Sequence, residues 1–147
     1  MTIICDTREK KNGHILEYFR MVGVEYEVKK LDTADYMKVG NDKVVIDRKQ
    51  NLDELARNLC NRKDHSRFWK EVRRAFKDGV KLIVLCEHSR YVTCIEDVAD
   101  WHSKYSPVSG RHLMDEIYRV HISYGVEFIF CSKVNTGKKI VELLNGK

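Results

Sequence analysis

Apolar positions in the first fifty residues follow strand spacing and helix spacing in turn. The short run 3–5 predicts a buried strand, and apolar residues over 15–22 recur at helical spacing before a glycine. The alternation over 24–30 predicts a second strand. A further alternating run at 42–47 follows a glycine turn, and it predicts that residues 35–49 form a hairpin.

The rest of the chain continues this alternation. Helical spacing and short apolar runs predict helices over 52–59, 68–76, 95–101, 113–120 and 136–144 and strands over 80–85 and 126–130. The second-last strand, 80–85, is apolar apart from Lys81, which predicts burial on both faces, and Thr136 is a candidate cap for the last helix. Strands alternating with helices predict an α/β fold.

Residues 102–110 lose this periodicity and contain the only proline, so they predict an exposed loop. Two aromatic residues, Trp101 and Tyr105, lie at this loop. They could stack on unpaired bases, or they could anchor the loop to the core.

Length and composition restrict the class of protein. With 147 residues, 43% hydrophobic and 33% charged, we expect residues 1–147 to form one globular domain rather than a disordered chain. No apolar run approaches the roughly 20 residues of a membrane span, and the N-terminus lacks a signal-peptide pattern. We therefore expect an intracellular, soluble protein with no membrane partner. Its five cysteines include no CxxC pair and are expected to stay reduced.

Positive charge is concentrated in one stretch of a chain whose net charge is +5. Between Arg57 and Lys77, eight Lys or Arg residues outnumber two acids. One face of the predicted helix carries Arg67, Lys70, Arg74 and Lys77, and the preceding segment adds Arg62 and Lys63. Such a face is either an ordinary solvated surface or a contact for the phosphates of a nucleic acid.

The predicted hairpin carries two acids and a lysine in a suggestive pattern. Eleven residues separate Asp35 from the triplet Asp47-Arg48-Lys49. Because side chains at 47 and 49 of a strand share a face, a neighbouring strand can bring Asp35 beside them. Two carboxylates suit Mg²⁺ or Mn²⁺, and a lysine can position a water or offset charge in the transition state of phosphodiester hydrolysis. Alone, the pattern is also compatible with a solvated surface.

Several segments together resemble a known family. Asp6-Thr7-Arg8-Glu9, Ala34-Asp35-Tyr36, Val45 to Gln50, Asp53 and Arg67-Phe68 match in order and spacing the GD-(x)n-ERK-x3-D signature, preceded by D-x-R-E, of the XPF-type structure-specific nuclease domain, a family that includes archaeal Hef. From residue 80 onward the resemblance is one of strand and helix rhythm.

This resemblance implies a restriction-endonuclease-like fold of the PD-(D/E)XK superfamily, a central mixed sheet flanked by helices. It also implies dependence on Mg²⁺ or Mn²⁺ and endonucleolytic action on branched or flapped DNA. Carried over by position, the metal-binding acids are Asp6, Asp35 and Asp47, the catalytic lysine is Lys49, and further catalytic candidates are Arg8, Glu9 and Arg48. The family also implies a homodimer or heterodimer and an appended helix-hairpin-helix module, for which we expect no residues here.

Two positions depart from the family signature. Ala34 replaces the motif glycine, which adds a Cβ where glycine permits a positive φ. Asp47 replaces the motif glutamate and is one methylene shorter. The role of Arg48 is open, because it should point to the face opposite Asp47, where it could be catalytic or form an ion pair with Asp53 or Glu54.

Two other functions remain open from the sequence. One is a non-catalytic DNA-binding or scaffold subunit of the same fold. The other is an RNA nuclease, because the phosphate chemistry is shared and no residue here marks recognition of a 2′-hydroxyl.

Overall fold

A computed structural model of the chain describes residues 1–60, 62–88 and 91–146, and of residues 62–66 only the backbone. Within these residues six strands form one sheet: β1 Thr2–Cys5, β2 Glu25–Val28, β3 Tyr36–Lys38, β4 Asn41–Lys49, β5 Lys81–Glu87 and β6 Glu127–Cys131. Their order across the sheet is β2-β1-β3-β4-β5-β6.

Only β3 runs against the other strands. It pairs antiparallel with both β1 and β4, whereas β1 with β2, β4 with β5 and β5 with β6 are parallel pairs. The predicted hairpin is therefore β3 with β4, and its turn contains Gly40 at φ 88°. Because β1, β4 and β5 run in the same direction, their carboxyl ends lie at one edge of the sheet.

Two layers of helices cover the sheet. The helices are α1 Gly13–Val22, α2 Leu52–Cys60, α3 Arg62–Asp78, α4 Gly110–Tyr124 and α5 Thr136–Leu144, with 3₁₀ segments at Ile95–Asp100 and Lys133–Asn135. Apolar residues of α2, α3 and α4 form one core, and those of α1 and α5 form a second core on the other face. The predicted α/β fold with a central mixed sheet flanked by helices is confirmed.

Alternation along the central strands assigns each side chain to one of these cores. In β4, Val45 packs in the core of α2, α3 and α4, and Ile46 packs in the core of α1 and α5. Continuing the period of two directs Asp47 and Lys49 toward α2 and α3, and Arg48 toward α1 and α5. In β5, residues 82–87 are buried, as the apolar run predicted.

Two sequence expectations differ in detail. The helix expected at 95–101 is a 3₁₀ helix, Ile95–Asp100. The prediction that Thr136 caps the last helix was wrong, because Thr136 is the first residue of α5 and its hydroxyl donates to Glu87 at 2.6 Å.

Among the described residues, every helix is too short or too polar to serve as a membrane span.

Candidate active site

The β3–β4 hairpin brings Asp35 beside Asp47. The Asp35 main-chain nitrogen donates to the Ile46 carbonyl at 2.8 Å, and the Arg48 nitrogen donates to Oδ2 of Asp35 at 2.8 Å. Burial, reinforced by the charge of Asp47, raises the pKa of Asp35 well above its ordinary value of 3.8. The two carboxyl groups thus lie close together, with that of Asp35 buried.

Lys49 lies on the same face of β4 as Asp47. Its ammonium is 3.1 Å from Oδ2 of Asp47 and 5.0 Å from the centroid of the Phe68 ring of α3. Burial by itself lowers the pKa of Lys49, but the charges of Asp47 and Glu54 outweigh it and raise that pKa above its ordinary value. Lys49 therefore stays protonated, with its charge held in one place.

These side chains open onto a cavity of about 530 Å³ at the carboxyl end of β4. Its charged lining comprises five acids, Glu9, Asp35, Asp47, Glu54 and Glu71, and six bases, Arg8, Lys10, Arg48, Lys49, Arg57 and Arg67. The lining is completed by Gln50, Asn58 and Phe68. Asp35 and Asp47, here called the acidic centre, share this cavity with basic side chains. Such a cavity suits a cation and an anionic substrate together.

The acidic side chains of this cavity offer donors for a divalent ion. Oδ2 of Asp47 is buried and lies 3.1 Å from the Lys49 ammonium, without a hydrogen bond of good geometry. This buried carboxylate oxygen and the carboxylate of Asp35 are the hard donors that Mg²⁺ and Mn²⁺ prefer. Among the described residues, no three His, Cys, Asp or Glu side chains enclose an ion by themselves. The residues therefore fit an ion that keeps several waters.

Asp6 does not line this cavity, although the motif predicts that it binds metal. Its Oδ1 accepts from the Leu31 nitrogen at 2.7 Å, and its Oδ2 accepts from the nitrogen and Nε of Arg8 at 3.1 and 2.8 Å. Burial opposes ionisation, but these hydrogen bonds outweigh it and hold the pKa of Asp6 below its usual range. Both oxygens are engaged in joining the loop after β1 to the segment before β3.

The side chain of Arg48 points to the face opposite Asp47, as the strand period predicts. Its guanidinium pairs with Glu87 and with both oxygens of Glu9, at 2.7 and 2.9 Å for Glu9. It does not pair with Asp53 or Glu54, so that alternative was wrong. The reason is that both acids lie on α2, which packs on the other side of the sheet.

The Arg48 ion pairs extend into a buried polar network. Glu87 also contacts Nε2 of His14 at 2.5 Å and accepts from the Thr136 hydroxyl at 2.6 Å. Glu9 accepts from the Tyr36 hydroxyl at 2.6 Å. The network ties β4 and β5 to α1, α5 and the loop after β1, so it braces the strand that carries Asp47 and Lys49.

One protein-family model matches most of the chain. The family model of the ERCC4 domain matches residues 5–143. This chain belongs to the ERCC4 domain family. No curated protein sequence matches the chain.

Two solved structures share the fold of this ERCC4 domain. The structure described as XPF from Aeropyrum pernix superposes with a TM-score of 0.73 at 16% identity, covering 99% of this chain and 64% of that chain. A second structure, XPF from Aeropyrum pernix in complex with DNA, also gives 0.73 and 16%, covering 98% and 63%. The resemblance to the XPF-type nuclease domain, drawn from the motifs, is confirmed at the level of family and fold.

The residues of the predicted basic face of α3 differ in their surroundings in this ERCC4 domain. Arg67 reaches the cavity, Lys70 and Lys77 are exposed, and Arg74 donates to the Asp32 carbonyl at 2.5 Å. The side chains of Arg62 and Lys63 lie outside those that the structure describes. Of the six predicted DNA contacts, Arg67 is thus the one that adjoins the acidic centre among the described side chains.

The two loop aromatics differ in burial. Trp101 packs against the core, whereas the side chain of Tyr105 is 85% exposed. Ser103 joins this loop to α2 by donating to Asp53 at 2.6 Å. Asp53, the last acid of the motif, therefore holds the loop that carries Tyr105.

Two acids that the motif analysis did not select occupy important positions. Glu71 of α3 lines the cavity and accepts from the Ala34 nitrogen at 3.4 Å. Glu87 ends β5 and anchors Arg48. The available signals were weak: Glu71 is four residues from Arg67 on a helix, and Glu87 is an acid at the end of an apolar strand.

Proposed function

We propose that this ERCC4 domain is a divalent-metal-dependent endonuclease that hydrolyses phosphodiester bonds in branched or flapped DNA. The observation that carries the proposal is the convergence of Asp35, Asp47 and Lys49 in one open cavity, where a buried oxygen of Asp47 is ion-paired with Lys49. The cations around this centre support an anionic polymer as the substrate.

In this proposal Asp35 and Asp47 hold Mg²⁺ or Mn²⁺. When bound, the ion supplies Lewis acidity to a phosphate oxygen and lowers the pKa of a bound water. Asp6 supports the site indirectly, because its oxygens hold Arg8 and the segment before β3. The Arg8 guanidinium, half-exposed at the cavity, is then available to a phosphate.

Lys49 and the ion-pair network behind it stabilise the pentacoordinate transition state at phosphorus in this proposal. The Lys49 ammonium offsets negative charge that grows in the transition state, and its contact with Phe68 limits its motion. Arg48 and Glu9 act as positioning residues, since their ion pair restrains the strand and loop on which the reacting groups lie.

The DNA backbone crosses the cavity rim in this proposal. Lys10, Arg57 and Arg67 surround the acidic centre, and the exposed residues Lys70 and Lys77 extend the positive surface along α3. Such contacts position the duplex without reading its sequence, so structure rather than sequence determines the substrate.

We further propose that the domain acts as a homodimer or heterodimer, which light scattering at several concentrations tests.

The test is cleavage of flap, fork and duplex DNA of one sequence with Mg²⁺, with Mn²⁺ and with EDTA. We expect metal-dependent cleavage of the branched substrates, a loss of at least 100-fold in Lys49→Ala and Asp47→Asn, and wild-type activity in Lys81→Ala. Lys81 is a matched control because it is an exposed strand lysine. Equal activity in wild type and Lys49→Ala would contradict the proposal.

Two other functions are outcomes of the same experiment. DNA binding that is equally tight in EDTA, with no cleavage by the wild type, would assign the domain to a non-catalytic binding or scaffold role. Faster cleavage of matched RNA substrates than of DNA would identify an RNA nuclease.

A further inference from the structure

Glu71 reaches the acidic centre from the wall opposite β4. It lies on α3, lines the same cavity as Asp35 and Asp47, and is half-buried. Its Oε1 accepts from the main-chain nitrogen of Ala34, the residue that precedes Asp35. The carboxylate is therefore held at the base of the hairpin that carries the two candidate metal ligands.

Three of the carboxyl groups that line this cavity belong to Asp35, Asp47 and Glu71. The Asp47 carboxylate is ion-paired with Lys49 at 3.1 Å, and its buried Oδ2 makes no hydrogen bond of good geometry. The Glu71 carboxylate accepts only a long hydrogen bond, 3.4 Å, from the Ala34 nitrogen. A divalent cation bound among these carboxylates relieves their repulsion and uses oxygens that the protein holds weakly.

The side chain at position 47 is shorter than the one in the family signature, and Glu71 can supply a further carboxylate near it. Asp47 stands where the family signature has glutamate, so its carboxylate ends one methylene closer to the strand. Glu71 lines the same cavity from the side of α3. Because no three acids among the described residues enclose an ion directly, a further carboxylate on that side acts through a water.

We propose that Glu71 is the third carboxylate of the metal site and accepts a hydrogen bond from a water of the bound ion, compensating for the short reach of Asp47. This inference rests on the proposed function. Carboxylates that hold metal waters in this way contribute roughly 10- to 100-fold in metal affinity.

The test measures Mn²⁺ binding to the full chain by calorimetry, with Glu71→Gln compared with the wild type. Glu54→Gln is the matched control, because Glu54 lines the same cavity but accepts from the Gln50 nitrogen at 3.0 Å and acts on Lys49. We expect Glu71→Gln to weaken binding roughly 10- to 100-fold and Glu54→Gln to weaken it less than about threefold. Unfolding in EDTA verifies that both variants fold.

A second measurement tests the water-held geometry. The number of waters on bound Mn²⁺, counted by proton relaxation, is expected to be equal in the wild type and Glu71→Gln, whereas loss of a direct ligand would add a water. Equal Mn²⁺ affinity of wild type and Glu71→Gln, or equal weakening by both variants, would overturn the role of Glu71. If the wild type neither binds Mn²⁺ nor cleaves DNA, the proposed function fails too, and this outcome is distinct from failure of Glu71 alone.

Discussion

The main-chain nitrogen of Arg48 donates to the carboxylate of Asp35 at 2.8 Å. This hydrogen bond fixes an acid of one strand against the backbone of the next, between the side chains of Asp47 and Lys49. The acidic centre is thus part of the sheet. The backbone of the hairpin, rather than a flexible loop, holds its carboxylates together against their mutual repulsion.

Replacement of Asp35 separates stability from function. We expect Asp35→Asn to raise the free energy of unfolding in EDTA by about 1 kcal/mol, because it removes a buried carboxyl beside Asp47 and keeps an oxygen for the Arg48 nitrogen. We expect the same variant to lose Mn²⁺-dependent stabilisation and cleavage. Urea denaturation with and without Mn²⁺ measures this. Asp42→Asn, at an exposed position of β4, is the control, and lower stability of Asp35→Asn in EDTA would contradict the argument.

Glu87 is expected to be essential for stability. Its loss leaves the Arg48 guanidinium with one carboxylate partner fewer and deprives Thr136 and His14 of theirs. We expect Glu87→Ala to lower the free energy of unfolding by about 3–5 kcal/mol, as in other broken buried ion pairs. Urea denaturation compares it with Glu127→Ala, whose Lys81 partner is exposed and whose loss should cost under about 1 kcal/mol. Similar losses in both variants would refute the assignment.

Asp6 is expected to make stability depend on pH in the acid range. Its folded pKa lies below the ordinary 3.8, so the unfolded chain binds its proton first as the pH falls. We expect Asp6→Asn to cost about 2 kcal/mol at pH 5–7, and this difference to shrink as the pH falls below 4 through the folded pKa. Urea midpoints at pH 7, 5, 4 and 3 measure it. A difference that grows toward pH 3 would have the wrong sign.

Ala34 adopts a left-handed conformation, with φ 67°, at the position of the motif glycine. Ala34→Gly relieves about 1–2 kcal/mol of backbone strain but loses a buried methyl and restricts the chain less. We therefore expect a net change within about 1 kcal/mol. Ala75→Gly, also buried but within α3, should cost about 2 kcal/mol. Thermal unfolding of the pair decides, and equal losses would show that the conformation of Ala34 carries no strain.

Local periodicity accounts for what could be predicted about this site. The strand period placed Asp47 and Lys49 on one face and Arg48 on the other, and the short hairpin brought Asp35 alongside. These relations involve neighbours in the chain or across one turn. A pattern of residue types at fixed spacing therefore predicts them.

Contacts between segments that are distant in the chain could not be predicted from the sequence. Asp6 has the residue type and the motif position of a metal ligand, yet the Leu31 nitrogen and Arg8 engage its oxygens. The acid partners of Arg48 are Glu9 and Glu87, each 39 residues away, and not the nearer Asp53 or Glu54. Motif position records which residues share a site, but the partner of each oxygen depends on where the loops pack.

The sequence by itself determined the family, the order of strands and helices, and the face of β4 on which each side chain lies, because spacing along the backbone dictates these features. Tertiary structure decided which helices cover each face, and therefore that Glu71 enters the acidic centre from α3 while Glu87 anchors Arg48 behind it. The physical reason is that packing of helices on a sheet depends on the summed contacts of many apolar side chains. No local pattern around Glu71 or Glu87 encodes that sum.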